Sequence, residues 1–383
     1  MKRRLALITE IIAPYRISVF NALAARDDVD LSVIFLAETD ASLRQWPVYK
    51  EDICFAYQVL PSWRWRVAGY NLLLNREMGA RLDRLCPEVV VCGGYNYLAS
   101  WQALWWANSR RIPFMLWSES NLRDMRSRYA IVEALKKRFV TACDGFVVPG
   151  RASLEYLREL GVGDRPIFTA PNAVDVDFFS QTSRWAREHA ADVRRKKGLP
   201  ERYFLFVGRL VAEKGVFELL EAYVKLGADM HGAPGLVFVG DGIDRRHLEA
   251  RAQERARGQV QFFGFAQRED LAEFYGLAEA LILPTYSDTW GLVINEAMAC
   301  ALPVIVSKAA GCVEDLVEEG LNGFVVPPRD VDALRTAMRA LLESTELHNC
   351  MSWRSAERIK ANSPKGWAEG MAQAAKAFPA RLT

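Results

Sequence analysis

The sequence predicts an α/β protein built from two doubly wound parallel-sheet domains, Rossmann-like in character, facing a cleft. Three observations predict it. Short apolar runs alternate with longer segments of helical period, the pattern of a parallel sheet with crossover helices. The pattern occurs as two consecutive arrays of similar size, without residue-level repetition between them. The length, 383 residues, suits two domains of about 100–200 residues each.

In the first array the strands read Leu5–Thr9, Leu31–Leu36, Val89–Val91, Phe114–Trp117 and Gly145–Val148. Helices are expected over Ile17–Ala25, Gly69–Leu85, Tyr97–Ser109 and Ala152–Leu160. In the second array the strands read Tyr203–Val207, Leu236–Val239, Gln259–Phe262, Ala280–Leu283, Pro303–Val306 and Gly323–Val326. The helices between them are Val216–Lys225, Arg245–Arg257, Arg268–Leu277, Leu292–Ala299, Val313–Glu318 and Val331–Leu342. The seam falls between Pro171 and Pro200, where the polar segment 181–197 reads as a solvated helix. The expected division is an N-terminal domain, 1–178, a C-terminal domain, 179–360, and a terminal helix, 361–383. Trp367, Met371 and Phe378 space that helix for packing back on the N-terminal domain.

Composition narrows the class. About half the residues are apolar and a quarter charged, as in soluble enzymes, and a net charge of +2 is too small to suggest nucleic acid binding by bulk electrostatics. The opening MKRRLALITEIIAPYR reads better as a buried strand than as a signal peptide, because Glu10 interrupts the apolar run and no small-residue cleavage site follows. No stretch approaches the ~18–20 apolar residues of a membrane span. Seven scattered cysteines with no CxxC fit a reducing cytoplasm.

Two segments carry chemistry. Phe206 to Gly215 follows a strand, and ligands of open α/β sheets sit outside the carboxyl ends of strands. Gly208 lets backbone approach a ligand, while Arg209 and Lys214 supply two cations suited to charge developing on a diphosphate leaving group. It is not a Walker A loop, because no Ser or Thr follows the Lys. Leu283 to Ala299 runs from a strand end through a polar turn into a helix starting near Gly291, whose free amides form an anion site. Asp288 in the turn and Glu296 on the helix would repel a phosphate, so they serve better as acceptors for sugar and ribose hydroxyls.

Gly208-Arg209 with Glu213-Lys214-Gly215, the Val239-Gly240-Asp241-Gly242 turn and the Asp288-x7-Glu296 segment resemble glycosyltransferase family 4, retaining enzymes of GT-B architecture. The similarity reaches back to Pro171–Asp175, and forward through Ala301–Ser307, Gly311 and Asn322–Pro327. It implies that Arg209 and Lys214 bind the donor diphosphate and that Glu296 holds the ribose. Asp288, with the backbone at Thr289, Trp290, Gly291, Leu292 and Val293, would hold the transferred sugar. Phe263, Gly264 and Phe265 would line the base pocket. It implies no cofactor and no metal; Asp175-Val-Asp177 lies in the interdomain turn and is not a metal-binding DxD. Departures accompany the likeness. Asp288 stands where the family usually has Glu, Ala13–Arg16 replaces a glycine-rich loop, and Ser118-Glu119-Ser120 stands where a His often lies. None of the four histidines, at 189, 231, 247 and 348, sits in a context for a catalytic base.

The expected activity is therefore metal-independent, retaining transfer of a sugar from a nucleotide-sugar donor, such as a UDP- or GDP-sugar, to a glycan, lipid-linked or small-molecule hydroxyl. The expected acceptor residues are Tyr15, Arg16, Gly94, Tyr95, Asn96 and Glu119, on first-domain strand-end loops. Trp101, Leu104 and Trp105 read as core. The Trp63-Arg-Trp-Arg66 alternation and the basic stretch from Arg123 to Arg138 suit peripheral contact with an anionic membrane at the inner face of the cytoplasmic membrane. The competing readings are a sugar-nucleotide epimerase and a degenerate sugar-nucleotide-binding subunit; oligomeric state is not encoded in any of these features.

Overall fold

The computed structural model describes residues 2–39, 48–67, 70–122, 130–230, 232–256 and 258–379. The described chain divides into two compact units: one holds the residues up to Val174 together with those from Ser363 on, the other Asp175–Asn362.

The first unit is a seven-stranded parallel sheet. It begins β1 (Arg3–Thr9), α1 (Pro14–Ala24), β2 (Val29–Phe35) and β3 (Ala56–Val59), followed by β4 (Ser62–Val67) and β5 (Tyr70–Asn75). It continues α2 (Met78–Leu85), β6 (Val89–Gly93), α3 (Leu98–Arg110), β7 (Phe114–Trp117), α4 (Ala130–Thr141), β8 (Gly145–Val148), α5 (Arg151–Glu159) and β9 (Ile167–Thr169). Strand order is β3-β2-β1-β6-β7-β8-β9, so the order reverses between β1 and β6. β7 and β8 are buried along their whole length, because helices cover both faces of a doubly wound sheet.

The expected helix over Gly69–Leu85 is instead a strand followed by a short helix. β4 and β5 form an antiparallel hairpin that pairs Trp63 with Leu74 and Trp65 with Leu72. An apolar run such as Leu72-Leu73-Leu74 has no period that separates strand from helix; cross-strand partners decide it.

The second unit opens with α6 (Val176–Glu188) and α7 (Ala190–Lys197), then β10 (Tyr203–Val207), α8 (Val216–Asp229), β11 (Gly235–Val239), α9 (Arg245–Arg255), β12 (Val260–Phe263) and α10 (Arg268–Leu277). It ends with β13 (Ala280–Leu283), α11 (Leu292–Ala299), β14 (Val304–Ser307), α12 (Val313–Leu316), β15 (Gly323–Val326), α13 (Val331–Glu343) and α14 (Thr345–Ile359). The sheet order β12-β11-β10-β13-β14-β15 reverses between β10 and β13. The polar segment 181–197 is two helices broken at His189, not one solvated helix. α6 buries Phe179, Ser183 and Ala186, and the Arg187 guanidinium donates to the carbonyls of Gly276 (3.3 Å) and Cys300 (3.1 Å).

The last helix, α15 (Pro364–Lys376), belongs to the first unit. Ser363 caps its start, and its fully buried Trp367 packs on Phe20 of α1 (5.6 Å between ring centroids) and Trp117 (5.4 Å).

Candidate active site

The switch point of a doubly wound sheet leaves a crevice, because the loops after its two central strands diverge to opposite faces. In the second unit those loops are 208–215, after β10, and 284–291, after β13. They carry Arg209, Lys214 and Asp288, and the second leads into the helix that carries Glu296.

The two loops are joined at several points. Lys214 Nζ donates to Asp288 Oδ2 at 2.5 Å, with both side chains mostly buried. The Tyr286 amide and the Thr285 hydroxyl both donate to the Glu213 carbonyl, at 2.9 and 3.2 Å. Gly215, at φ +70°, passes so close to the second loop that a Cβ there would lie 2.1 Å from the Pro284 carbonyl oxygen. Lys214 and Asp288, expected to hold phosphate and sugar separately, are thus each other's partners.

A third loop fixes the first. The Gly208 amide donates to the Val239 carbonyl (3.0 Å) and the Leu210 amide to that of Asp241 (2.9 Å). A Cβ on Gly240 would fall 2.0 Å from the Gly208 oxygen, and one on Gly242 2.2 Å from the Leu210 oxygen. Only glycine permits backbone to lie this close to backbone, which is the physical content of the Val239–Gly242 turn. Asp244, which the sequence reading did not single out, accepts from the Ala212 amide at 2.7 Å and holds the turn before Lys214. Arg209 projects from this frame as an exposed guanidinium.

Gly291, at φ +96°, precedes the first turn of α11, where Leu292 and Val293 lie half-buried. The Trp290 indole is buried and donates to Asn295 Oδ1 (2.8 Å), while the Trp290 amide donates to Asp288 Oδ1 (3.2 Å). Trp290 therefore contributes structure from its side chain, not a ligand-facing surface. Thr289 lies beside it in the same loop.

Glu296 is half-buried, and the Tyr275 hydroxyl of α10 donates to its Oε2 at 2.7 Å. Burial pushes the Glu296 carboxyl up to about 7, and the bond from Tyr275 opposes that rise. Burial also pushes the Tyr275 phenol well above its ordinary value, which keeps it a donor. Nothing in the sequence pairs these residues, since the contact depends on α10 lying beside α11. At the end of β12, Phe263 is half-buried against Phe274, Gly264 accepts from the Gly240 amide (3.1 Å), and Phe265 is exposed. An exposed ring at a strand end suits stacking on a planar base.

In the first unit the switch point lies between β1 and β6. Arg16 donates to Thr9 Oγ1 (2.8 Å) and Glu119 Oε2 (3.1 Å), and its guanidinium stacks over the Trp117 ring at 4.5 Å. Tyr15, Arg16 and Glu119 are thereby brought together. Gly94, at φ +99°, Tyr95 and exposed Asn96 follow β6. Asp175 caps α6 by accepting from the Phe178 amide (3.1 Å). Of the histidines, His189 stacks on Trp185, His247 lies by Phe217 and His348 bonds the Glu279 carbonyl; His231 lies outside the described residues.

Two doubly wound units, one with paired cationic and carboxylate loops at its switch point, are the architecture of the GT-B class. Residues 190–358 match the family model for glycosyl transferases group 1, and residues 18–178 that for glycosyltransferase family 4. The chain is 34% identical over 297 residues to alpha-D-kanosaminyltransferase of Streptomyces kanamyceticus, covering 73% of this chain and 72% of that protein. It is 32% identical over 308 residues to sulfoquinovosyl transferase SQD2 of Arabidopsis thaliana, covering 76% of this chain and 56% of that protein. In fold it is similar to Anabaena HepE in complex with UDP (TM-score 0.77, 16% identity, 99% of this chain and 100% of that one). It is likewise similar to sucrose-phosphate synthase from Thermosynechococcus elongatus (TM-score 0.73, 22% identity, 97% and 98%). The chain belongs to glycosyltransferase family 4 and is a nucleotide-sugar-dependent glycosyltransferase.

Proposed function

We propose that the chain is a retaining, metal-independent glycosyltransferase whose donor is held by loops 208–215 and 284–291 and by α11. The carrying observation is the joining of Lys214 and Asp288 at the switch point of the second sheet. Arg209, Lys214 and the first-turn amides of α11 supply the positive potential that a leaving diphosphate needs. Asp288 accepts from hydroxyls of the transferred sugar, Glu296 from the ribose, and Phe265 covers the base.

In the reaction the bond between the sugar's anomeric carbon and the phosphate oxygen breaks. The acceptor hydroxyl oxygen forms its bond on the same face. Its proton passes to the departing phosphate oxygen, so no side chain acts as base and configuration is retained. The acceptor hydroxyl, on a glycan, lipid-linked or small-molecule acceptor, is held by Tyr15, Arg16, Glu119 and the Gly94–Asn96 loop. The UDP named with the HepE structure makes UDP-sugars the first donors to try, ahead of GDP-sugars.

The test is transfer by protein dialysed against EDTA, with NMR of the product linkage. Undiminished activity and the donor's own anomeric configuration are expected. An inverted linkage refutes the proton route, and activity restored only by added divalent metal refutes metal independence.

A further inference from the structure

Trp105 reads as core from its spacing, yet it is 61% exposed, and it does not stand alone. Leu98, Trp101 and Trp105 form one stripe along α3 at intervals of three and four residues, with Leu98 also exposed. Val132, Leu135 and Phe139 form an equivalent stripe along α4, with Val132 44% and Leu135 53% exposed. The stripes meet where Trp101 packs edge-on against buried Phe139, at 5.0 Å between ring centroids, and Trp105 packs on Trp101 at 6.3 Å. Two adjacent helices thus present tryptophan and branched aliphatic side chains to solvent from a fixed base.

The charge carried by the two helices is mostly basic. α4 carries Lys136, Lys137 and Arg138 against a single acid, Glu133, which Lys136 already binds at 2.8 Å. Lys137 and Arg138 are exposed. α3 contains no acid, and Arg110 at its end pairs with Asp83 of α2 at 2.8 Å. Exposed tryptophan and leucine flanked by cations match the boundary between acyl chains and anionic headgroups, where an indole ring is amphipathic and a basic side chain meets phosphate. A protein surface would need matching carboxylates in fixed places; an anionic bilayer supplies phosphates everywhere.

We propose that the exposed faces of α3 and α4 form the surface by which this enzyme docks on an anionic lipid bilayer. The surface adjoins the acceptor loop: Leu98 follows Gly94–Asn96, and Tyr95 packs on Phe139 at 6.1 Å. Resting on the acceptor residues proposed above, the same placement assigns the acceptor to the class of sugars or alcohols carried on a membrane lipid. The Trp63 and Arg123–Arg138 features singled out in the sequence bear on this only in part. Trp63 is exposed beneath the Arg76 guanidinium (4.8 Å), while the side chains of 64–66 and residues 123–129 lie outside the described residues.

The test is flotation with vesicles of phosphatidylcholine alone and of phosphatidylcholine with phosphatidylglycerol, for the wild type, Trp105→Ser/Leu135→Ser and Lys137→Glu/Arg138→Glu. The wild type should float with the anionic vesicles, each double variant should partition about tenfold less, and added salt should weaken binding. The thermal shift with UDP should be the same in all three proteins, which separates a lost surface from a lost fold. Wild-type protein that stays soluble with anionic vesicles, or variants that float equally well, overturns the proposal. So does a concentration-dependent dimer that the Trp105→Ser/Leu135→Ser variant abolishes, since the occupant is then a second copy. Flotation without any UDP shift in the wild type counts against the donor reading and supports the surface.

Discussion

Replacing Tyr275 by Phe removes one hydroxyl, and with it the bond to Glu296 Oε2 at 2.7 Å. The ring itself is fully buried and stays so, so the change creates almost no cavity. Burial holds the Glu296 carboxyl at about 7, with the Tyr275 bond working in the opposite direction. A hydrogen bond to a charged group contributes about 1.5–3 kcal/mol, and about 1.4 kcal/mol equals one pKa unit. Taking the lower end, Tyr275→Phe raises the carboxyl by about one unit, and its ionised fraction at pH 7 falls from about a half to about a tenth. If the ionised carboxylate receives the ribose hydroxyls, UDP affinity at pH 7 should fall about fivefold and recover by about pH 9. Titration calorimetry with UDP between pH 6 and 9, on both proteins, measures this. The wild-type affinity should rise with pH through neutrality, and the variant's rise should be displaced upward. Identical pH dependence in the two proteins would refute the assignment of Glu296 to the ribose.

Three further outcomes follow from the same geometry. Glu296 holds its proton more tightly in the folded chain, near 7, than at its ordinary 4.5, so folding stability should fall as pH rises through that window. In Glu296→Gln that decline should vanish, as thermal denaturation from pH 4.5 to 8 will read. Gly240→Ala places a Cβ against the Gly208 carbonyl and should lower stability by more than about 2 kcal/mol while abolishing UDP binding. Gly232→Ala, with open space around its Cβ position although φ is +77°, serves as the control and should leave UDP binding intact. Lys214→Arg keeps the charge but not the compact contact with Asp288, and should cut transfer rate more than it cuts stability, in a kinetic assay run beside a melt.

The strands of the second unit were legible because each is a short apolar run bounded by turn residues, and the ligand loops follow once strand ends are known. Arg209, Lys214, Asp288 and Glu296 could be named for that reason. What could not be read was which side chains already have partners. The Lys214–Asp288 pair, the bond from Tyr275 to Glu296 and the burial of the Trp290 indole all arise from contacts between segments distant in sequence or from loop conformation. Periodicity places Leu98, Trp101 and Trp105 on one face of α3 but does not say which face the sheet covers; Ala103, Leu104 and Ala107 took the core side. The β4–β5 hairpin was lost for the same reason, since pairing across strands leaves no mark on local period. Gly240 and Gly242 were visible as a motif, and their cause, backbone packed on backbone, appears only in three dimensions.

The central claim is that loops 208–215 and 284–291 with α11 bind the diphosphate of the donor. Arg209 tests it most directly, because its guanidinium is exposed and makes no ion pair among the described residues. Titration calorimetry of UDP into wild type and Arg209→Ala, with melting curves to verify the fold, should give an affinity about 10- to 100-fold weaker in the variant at unchanged stability. Equal affinity for UDP in the two proteins contradicts the account.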